Sequence, residues 1–343
     1  MKFDYCIGNP PYQETKGGTK NVDVWPSFVE GANTVAKDVC LIHPGRWVNP
    51  KKQMVATHNI ILNSGLTGFK YYPNASDIFN GVSIDGGVTV TMFREGYSGD
   101  VKYSVNGNDK GIFRDDEKFF SNEFEEEAYN KIFVTMNTKD ISHRILGNIG
   151  SLASSEFGYS KHTQIDKLTD DASTLSNPIA IWANSSYGKG TRFAWHYIDE
   201  SELKNVPDGL LTHRKVMLDK KGHSIVHGKG NIFNNIPKIV KAKATASGDV
   251  LFVLPDNDTD YELQLIKSFF MTKTVRFLMS ISQKDLYVRG FENVPDYVSF
   301  VQMLNGNLFT DKFFNDTFGL SSELISHIDR YVSDKADNTK EIN

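Results

Sequence analysis

The chain has little cysteine and no long apolar run, and both absences narrow what it can be. Cys6 and Cys40 are the two cysteines in 343 residues. Each lies inside an apolar run, where a thiol packs as a small hydrophobe. They provide neither a disulfide framework nor a metal site. No stretch reaches the roughly 18 consecutive apolar residues of a membrane-spanning helix. "MKFDYCIGNPP" lacks the long apolar region and small-residue cleavage site of a signal peptide. A cytoplasmic protein with no membrane contact is therefore expected. Overall basicity is missing too: 38 Lys and Arg against 42 Asp and Glu leave a net charge of −4. Contact with nucleic acid must then come from a local patch. With 39% apolar and 23% charged residues the composition is globular, and the length allows two domains.

What is present starts at once. "FDYCIG" is a short buried strand, and "VWPSFVEGANTVAK" places Phe28, Val29, Ala32, Val35 and Ala36 at helical spacing, with Pro26 suited to a first turn. "DVCLIHP" is a second buried strand ending at Pro44. Strand, helix and strand make a right-handed parallel unit. "KKQMVATHNIILNSG" predicts a helix stopped by Gly65, and "LTGFKYYPN" an extended segment. "VSIDGGVTVTMFR" predicts a hairpin about Asp85-Gly86-Gly87. Residues 1–112 thus read as the second half of an open α/β sheet. The acidic segment "RDDEKFFSNEFEEEA" marks a boundary, and 113–343 read as an α+β domain with strands "PIAIWA" and "DVLFVLP" and one long helix, "YELQLIKSFFMTKTVRFLMSI".

Between the first strand and first helix stands Asn9-Pro10-Pro11-Tyr12, at the carboxyl end of a buried parallel strand, where open α/β sheets place ligands. Methylation of an exocyclic amine needs its lone pair localised and aimed. The Asn9 side-chain oxygen and the Pro10 carbonyl, both accepting from the amino hydrogens, supply that. Two prolines hold φ near −65° and stiffen the acceptors in advance. Tyr12 offers an aromatic face on which a base extruded from a duplex can stack. The bland alternative is a tight strand-to-helix turn, since Gly, Asn and Pro are ordinary turn residues.

With those residues in view, "FDYCIGNPPYQ" resembles the catalytic motif of the gamma-class N6-adenine DNA methyltransferases, in the restriction-modification branch that fuses methylase and target recognition. "VWPSFVEGA", "DVCLIHPGRWV" and "NASDIFNGVSIDGGVTVTMFR" resemble the segments that follow it. "VRFLMSISQKDLYVRGFENVPD" and "FTDKFFNDTFGLSSELISHIDRYV" resemble the closing segments of the recognition region. The resemblance implies a partial Rossmann-like methyltransferase sheet followed by an α+β target-recognition domain, S-adenosylmethionine as cofactor, double-stranded DNA as partner, and catalytic roles for Asn9, Pro10, Pro11 and Tyr12. By analogy Phe79 walls the flipped-base pocket, with a plain core role as the alternative. The chain departs from the family in one respect. The family's glycine-rich cofactor loop and later acidic residue precede the motif by many tens of residues, whereas eight residues precede Asn9 here. "GYSKH", "SSYGKGTRF" and "HGKGNIF" do not replace them, so cofactor-binding residues remain unassigned. Three explanations stand open: a partner subunit supplying the cofactor half, a fragment or short form, or a chain that no longer methylates and serves as a DNA-binding or decoy subunit.

Residues 204–243 hold nine Lys or Arg against Asp208 and Asp219. Arg214, Lys215, Lys220, Lys221, Lys238, Lys241 and Lys243 are the expected phosphate contacts, unless the run is only a solvated face. Lys189 and Arg192 in "SSYGKGTRFAW" are candidates for reading base edges. Pro207-Asp208 with Asp219-x-Lys221 has the form of a nuclease metal site but lacks the strand context, and the histidines show no ligand spacing. No metal is expected. Asn-Pro-Pro-Tyr also serves methylation of glutamine side chains and of guanine in RNA; the large second domain favours duplex DNA.

Overall fold

The opening apolar stretch forms a strand in the computed structural model of the chain, which describes residues 2–16, 20–50, 54–82, 84, 86–147, 167–184, 193–203, 206–219, 237–246, 250–281 and 290–332. This strand, β1 (Phe3–Gly8), is followed by a hairpin of β2 (Gln13–Lys16) and β3 (Lys20–Asp23), then α1 (Trp25–Val35), β4 (Ala36–Pro44), α2 (Val55–Asn63), β5 (Leu66–Tyr72), β6 (Val88–Arg94), β7 (Lys102–Val105) and β8 (Asn108–Ile112). Six of these strands make one mixed sheet in the order β1-β4-β6-β5-β7-β8. β1 runs parallel to β4 and β5 parallel to β7, while β6 is antiparallel to both β4 and β5.

Local sequence explains most of these elements. Trp25, Val29 and Ala32 recur at spacings of four and three and are the buried stripe of α1, with Pro26 in its first turn. The nine residues of β4 bury Val39, Leu41 and His43 on one face, the face on which Trp25 and Val29 of α1 and Ile61 of α2 complete one core with Phe69 and Phe93.

Four features differ from the sequence expectation. β1 is not buried: it stands at the edge of the sheet, with Phe3, Tyr5 and Ile7 71%, 73% and 82% exposed, while Cys6 packs on the core. The Asp85-Gly86-Gly87 segment does not close a hairpin: Val82 and Ile84 lie outside any strand, and β6 inserts between β4 and β5 instead. Gly87 takes φ +67°, and a Cβ there would sit 2.3 Å from the Tyr72 carbonyl oxygen, so the tight entry to β6 requires glycine. The first compact unit runs to Glu125 rather than 112, because Phe113 and Phe119 pack on Phe69 and Tyr71 with ring centroids 5.2 and 5.3 Å apart. The long helix expected near 261–281 is two helices, Asp260–Met271 and Lys273–Ser280. Thr272 breaks it in an extended conformation, its side chain accepting from the Val275 N–H as the cap of the second.

The second unit holds β9 (Ile145–Gly147), β10 (Pro178–Asn184), β11 (Phe193–Asp199), β12 (Lys215–Asp219), β13 (Lys238–Val240), β14 (Ala244–Ala246) and β15 (Val250–Val253). They form two sheets, β13-β12-β15-β9 and β11-β10-β14. A knot of aromatic side chains, Phe269, Phe300, Phe309 and Phe314, ties its helices together. Among the described residues no helix is long and apolar enough to cross a membrane.

Candidate active site at the carboxyl ends of the strands

Because β4 and β5 both oppose β6, they run parallel to each other and to β1. The segments leaving Gly8, Pro44 and Tyr72 therefore depart from one end of the sheet, the end at which α/β sheets bind ligands. The topology brings Asn9–Tyr12, the turn Gly45–Trp47 and the 73–87 segment to that end.

Asn9 is exposed there, and among the described residues its side chain has no hydrogen-bond partner. Pro10 is half-buried, Pro11 exposed and Tyr12 half-buried. The Tyr12 ring packs on the core of the first unit; its hydroxyl meets no partner among the described residues, and burial raises its pKa. The loop is fastened on its far side. The Tyr12 carbonyl accepts from the Val24 N–H at 3.1 Å. Gln13 Nε2 donates to Asp23 Oδ1 at 3.1 Å, and Arg46 Nη2 donates to both Asp23 oxygens at 2.8 and 3.0 Å. Thus Arg46, two residues past the end of β4, clips the hairpin that continues from Tyr12. The Gly45 N–H donates to the Gly87 carbonyl at 2.9 Å. A Cβ at Gly45 would approach the Tyr71 ring to 2.6 Å and the Gly86 carbonyl to 2.7 Å, so this joint also needs glycine.

Trp25 closes the base of this region by stacking on His43, with centroids 4.5 Å apart and planes 9° apart. The Pro44 carbonyl can only accept, so His43 Nδ1 carries the proton, 3.2 Å away, and Nε2 lies 2.8 Å from Thr91 Oγ1 as acceptor. Burial holds the His43 pKa down to about 4. The folded state therefore resists protonation that the unfolded chain accepts near pH 6.5. Stability is full above that pH, falls as pH drops, and levels off below about 4, with about 3 kcal/mol lost in total. Urea unfolding of His43→Gln beside wild type between pH 7.5 and 4 checks this, since the substitution removes that part of the slope.

Phe79 lies in the turn after Asn74, half-buried and outside the main core, its N–H donating to the Ala75 carbonyl at 2.9 Å. By topology it stands at the same end of the sheet as Asn9. Among the described residues, no group of three or more His, Cys, Asp or Glu side chains could hold a metal.

The basic residues are more dispersed than the sequence suggests. Lys189, Arg192, Lys220 and Lys221 lie outside the described residues. Lys241 is exposed. Lys243 donates to Asn177 Oδ1 at 3.0 Å, and Lys238 places its ammonium 5.3 Å over the Trp182 ring. Arg214 is held by Asp258 at 2.6 Å and by Asp260, acids from a segment that the local charge count omits. Lys215 is a correction: it is 0% exposed, inside β12, with its ammonium 3.3 Å from the His213 and Lys241 carbonyls. It is enclosed by protein and cannot serve a phosphate surface. Burial lowers its pKa to about 8. With the unfolded value higher, at 10.5, stability is full above that pH and falls as pH drops to about 8. Lys215→Met is expected to stabilise the protein at pH 7 by about 1–3 kcal/mol and to leave DNA affinity unchanged. Denaturant midpoints and a filter-binding titration test both.

Sequence reasoning missed Asp23, Arg46 and His43. An arginine two residues past the "LIHP" strand was the available signal for the clip; nothing local announced Asp23 as its partner.

Residues 1–79, spanning β1, the Asn9–Tyr12 loop, α1, β4, α2 and β5, match the Eco57I restriction-modification methylase family. A stretch of 124 residues is 27% identical to an uncharacterized adenine-specific methylase of Mycoplasma pneumoniae, covering 32% of this chain and 28% of that protein. The chain thus spans a little over a quarter of the length of this curated relative. Among solved structures, the type IIL restriction-modification enzyme MmeI in complex with DNA aligns over 95% of this chain and 56% of its own, at 9% identity and a TM-score of 0.39. The type IIG restriction endonuclease BpuSI aligns over 90% and 48%, at 11% identity and a TM-score of 0.32. The family match and the curated relative bear out the resemblance to adenine methyltransferases of restriction-modification systems.

Proposed function

We propose that this chain carries the base-holding part of a site-specific DNA adenine methyltransferase acting within, or derived from, a restriction-modification system. The observation that carries the reading is Asn9: an exposed amide on a proline-stiffened loop, at the ligand-binding end of a parallel strand, inside the matched region. Its side-chain oxygen and the Pro10 carbonyl accept the two N6 hydrogens of adenine, leaving the lone pair directed at the incoming methyl group. Tyr12 stacks on the extruded base and Phe79 borders its pocket. The clip from Arg46 through Asp23 to Gln13 holds the loop in place before the base arrives. Double-stranded DNA is the substrate, with phosphate contacts from Lys241, Lys243, Lys238, Arg214 and the sequence candidates Lys189, Arg192, Lys220 and Lys221.

A methyltransferase of this kind takes its methyl group from S-adenosylmethionine. Among the described residues of the first unit none is assigned to that group; Gly45, the glycine that follows β4, is filled against Tyr71 and Gly86. Transfer of label from methyl-labelled S-adenosylmethionine to unmethylated bacterial DNA tests the reading. The chain is assayed alone and with the part of the Mycoplasma pneumoniae relative that lies outside the shared region. Label in DNA supports methylation. DNA binding without label under either condition would leave a non-methylating DNA-binding or decoy subunit.

A further inference from the structure

We infer that the groove lined by the helix Asp260–Met271 and the start of the helix Asp311–Phe318, in the second unit, binds the phosphate of a nucleotide through Lys267. The groove lies outside the basic 204–243 segment, and its geometry is independent of methyl transfer. On the proposed function a DNA strand is one source of that phosphate, and a free nucleotide is the other.

The groove holds about 370 Å³, the size of a small-molecule site. Its polar lining divides by what each side chain already bonds. Ser268 Oγ donates to the Leu265 carbonyl at 2.8 Å and accepts from the Phe309 N–H at 3.2 Å. Thr272 Oγ1 donates to the Phe269 carbonyl at 2.8 Å and accepts from the Val275 N–H at 3.3 Å. The Asp311 carboxylate accepts from the Lys273 N–H at 3.1 Å, the Thr274 N–H at 2.8 Å and the Thr274 hydroxyl at 2.9 Å, which holds its charge at the start of the Lys273–Ser280 helix. Lys267 and Gln264, by contrast, make no hydrogen bond or ion pair among the described residues. Thr310 Oγ1 accepts from the Phe313 N–H at 3.1 Å and keeps its hydroxyl hydrogen. The groove is thus left with an ammonium, an amide and a hydroxyl hydrogen, an excess of donors over acceptors.

Lys267 lacks a partner for a local reason. Leu263, Gln264, Phe270 and Met271 stand three and four residues to either side of it, so no acid of its own helix can neutralise it. The neighbouring lysines are committed, Lys273 to Asp329 and Lys312 to Asp316. A half-buried ammonium without a counter-ion is matched by an anion, and a phosphate has an oxygen each for the ammonium, the Gln264 amide and the Thr310 hydroxyl. Met271 and Phe309 form the apolar part of the wall. The groove is larger than a phosphate alone, and a sugar and base laid against the thioether and the ring fill the remainder.

The test titrates the full chain with thymidine monophosphate by calorimetry. Thymine has no amino group, so the Asn9 loop does not hold this probe. A dissociation constant of about 1 mM or tighter is expected, and thymidine without its phosphate should bind at least about tenfold more weakly. Lys267→Gln and Gln264→Ala change side chains that have no partner among the described residues, so the fold is kept. They should weaken binding by about tenfold and about threefold. Displacement of the nucleotide by an unmethylated duplex identifies a DNA strand as the source of the phosphate; duplex and nucleotide bound together identify a free nucleotide. No binding at about 5 mM, binding indifferent to Lys267→Gln, or thymidine held as tightly as its phosphate would overturn the assignment. Failure of the two ideas is distinguishable. Lys267-dependent binding with no methyl label in DNA leaves the groove standing and removes the methyltransferase reading; label in DNA without Lys267-dependent binding does the reverse.

Discussion

Asn9→Ala is expected to lower methyl transfer to DNA by about a thousandfold or more while leaving DNA affinity within about twofold of wild type. The asymmetry follows from where Asn9 stands. It is exposed and makes no side-chain hydrogen bond among the described residues, so its removal disturbs no packing. The loop backbone is fixed independently by the Val24 N–H on the Tyr12 carbonyl and by the Arg46–Asp23 clip. On the proposed reading, what disappears is one of two acceptors that localise the adenine lone pair. Single-turnover transfer with labelled donor, beside an equilibrium DNA titration, separates the two effects. A variant that keeps more than about a tenth of the rate would remove Asn9 from the chemistry.

Trp25→Ala is expected to cost about 3–5 kcal/mol of stability in the first unit. Trp25 is fully buried, and its indole N–H has no partner among the described residues, so the loss is one of packing and not of a hydrogen bond. The same ring covers His43. Its removal admits water to the imidazole, lifts the His43 pKa toward the ordinary value and flattens the acid-side loss of stability. Denaturant unfolding at pH 7.5 and pH 5 measures both consequences. A loss under about 1 kcal/mol, or an unchanged pH slope, would contradict the packing argument.

The elements that sequence reading located are those with local causes. β1, α1, β4, α2 and β5 each carry their own periodicity or stop signal, and the Asn9–Tyr12 loop falls where the strand before it ends. The misplaced features depend on distant neighbours. Val88–Arg94 has the composition of a hairpin strand, yet its two partners are β4 and β5, so the Asp-Gly-Gly segment serves a longer connection. Phe113 and Phe119 sit in a charged stretch that looks like a boundary, but their rings belong to the first core. The basic segment illustrates the same limit. Counting charge along 204–243 could not include Asp258 and Asp260, which reach back to Arg214, nor show that Lys215 points inward from a strand buried from Lys215 to Leu218. The Asp23–Arg46 clip joins residues 23 positions apart, and only the fold shows that it tethers the segment after Tyr12.

The central claim is that Asn9 and its neighbours hold an adenine amino group for methylation, and the chemistry of the product tests it most directly. DNA incubated with the chain and S-adenosylmethionine, with and without the part of the Mycoplasma pneumoniae relative outside the shared region, is digested to nucleosides and analysed by mass spectrometry. The account predicts N6-methyladenine, absent when Asn9→Ala replaces the wild type. Methyl groups on cytosine, or N6-methyladenine formed equally by the Asn9→Ala protein, would contradict it.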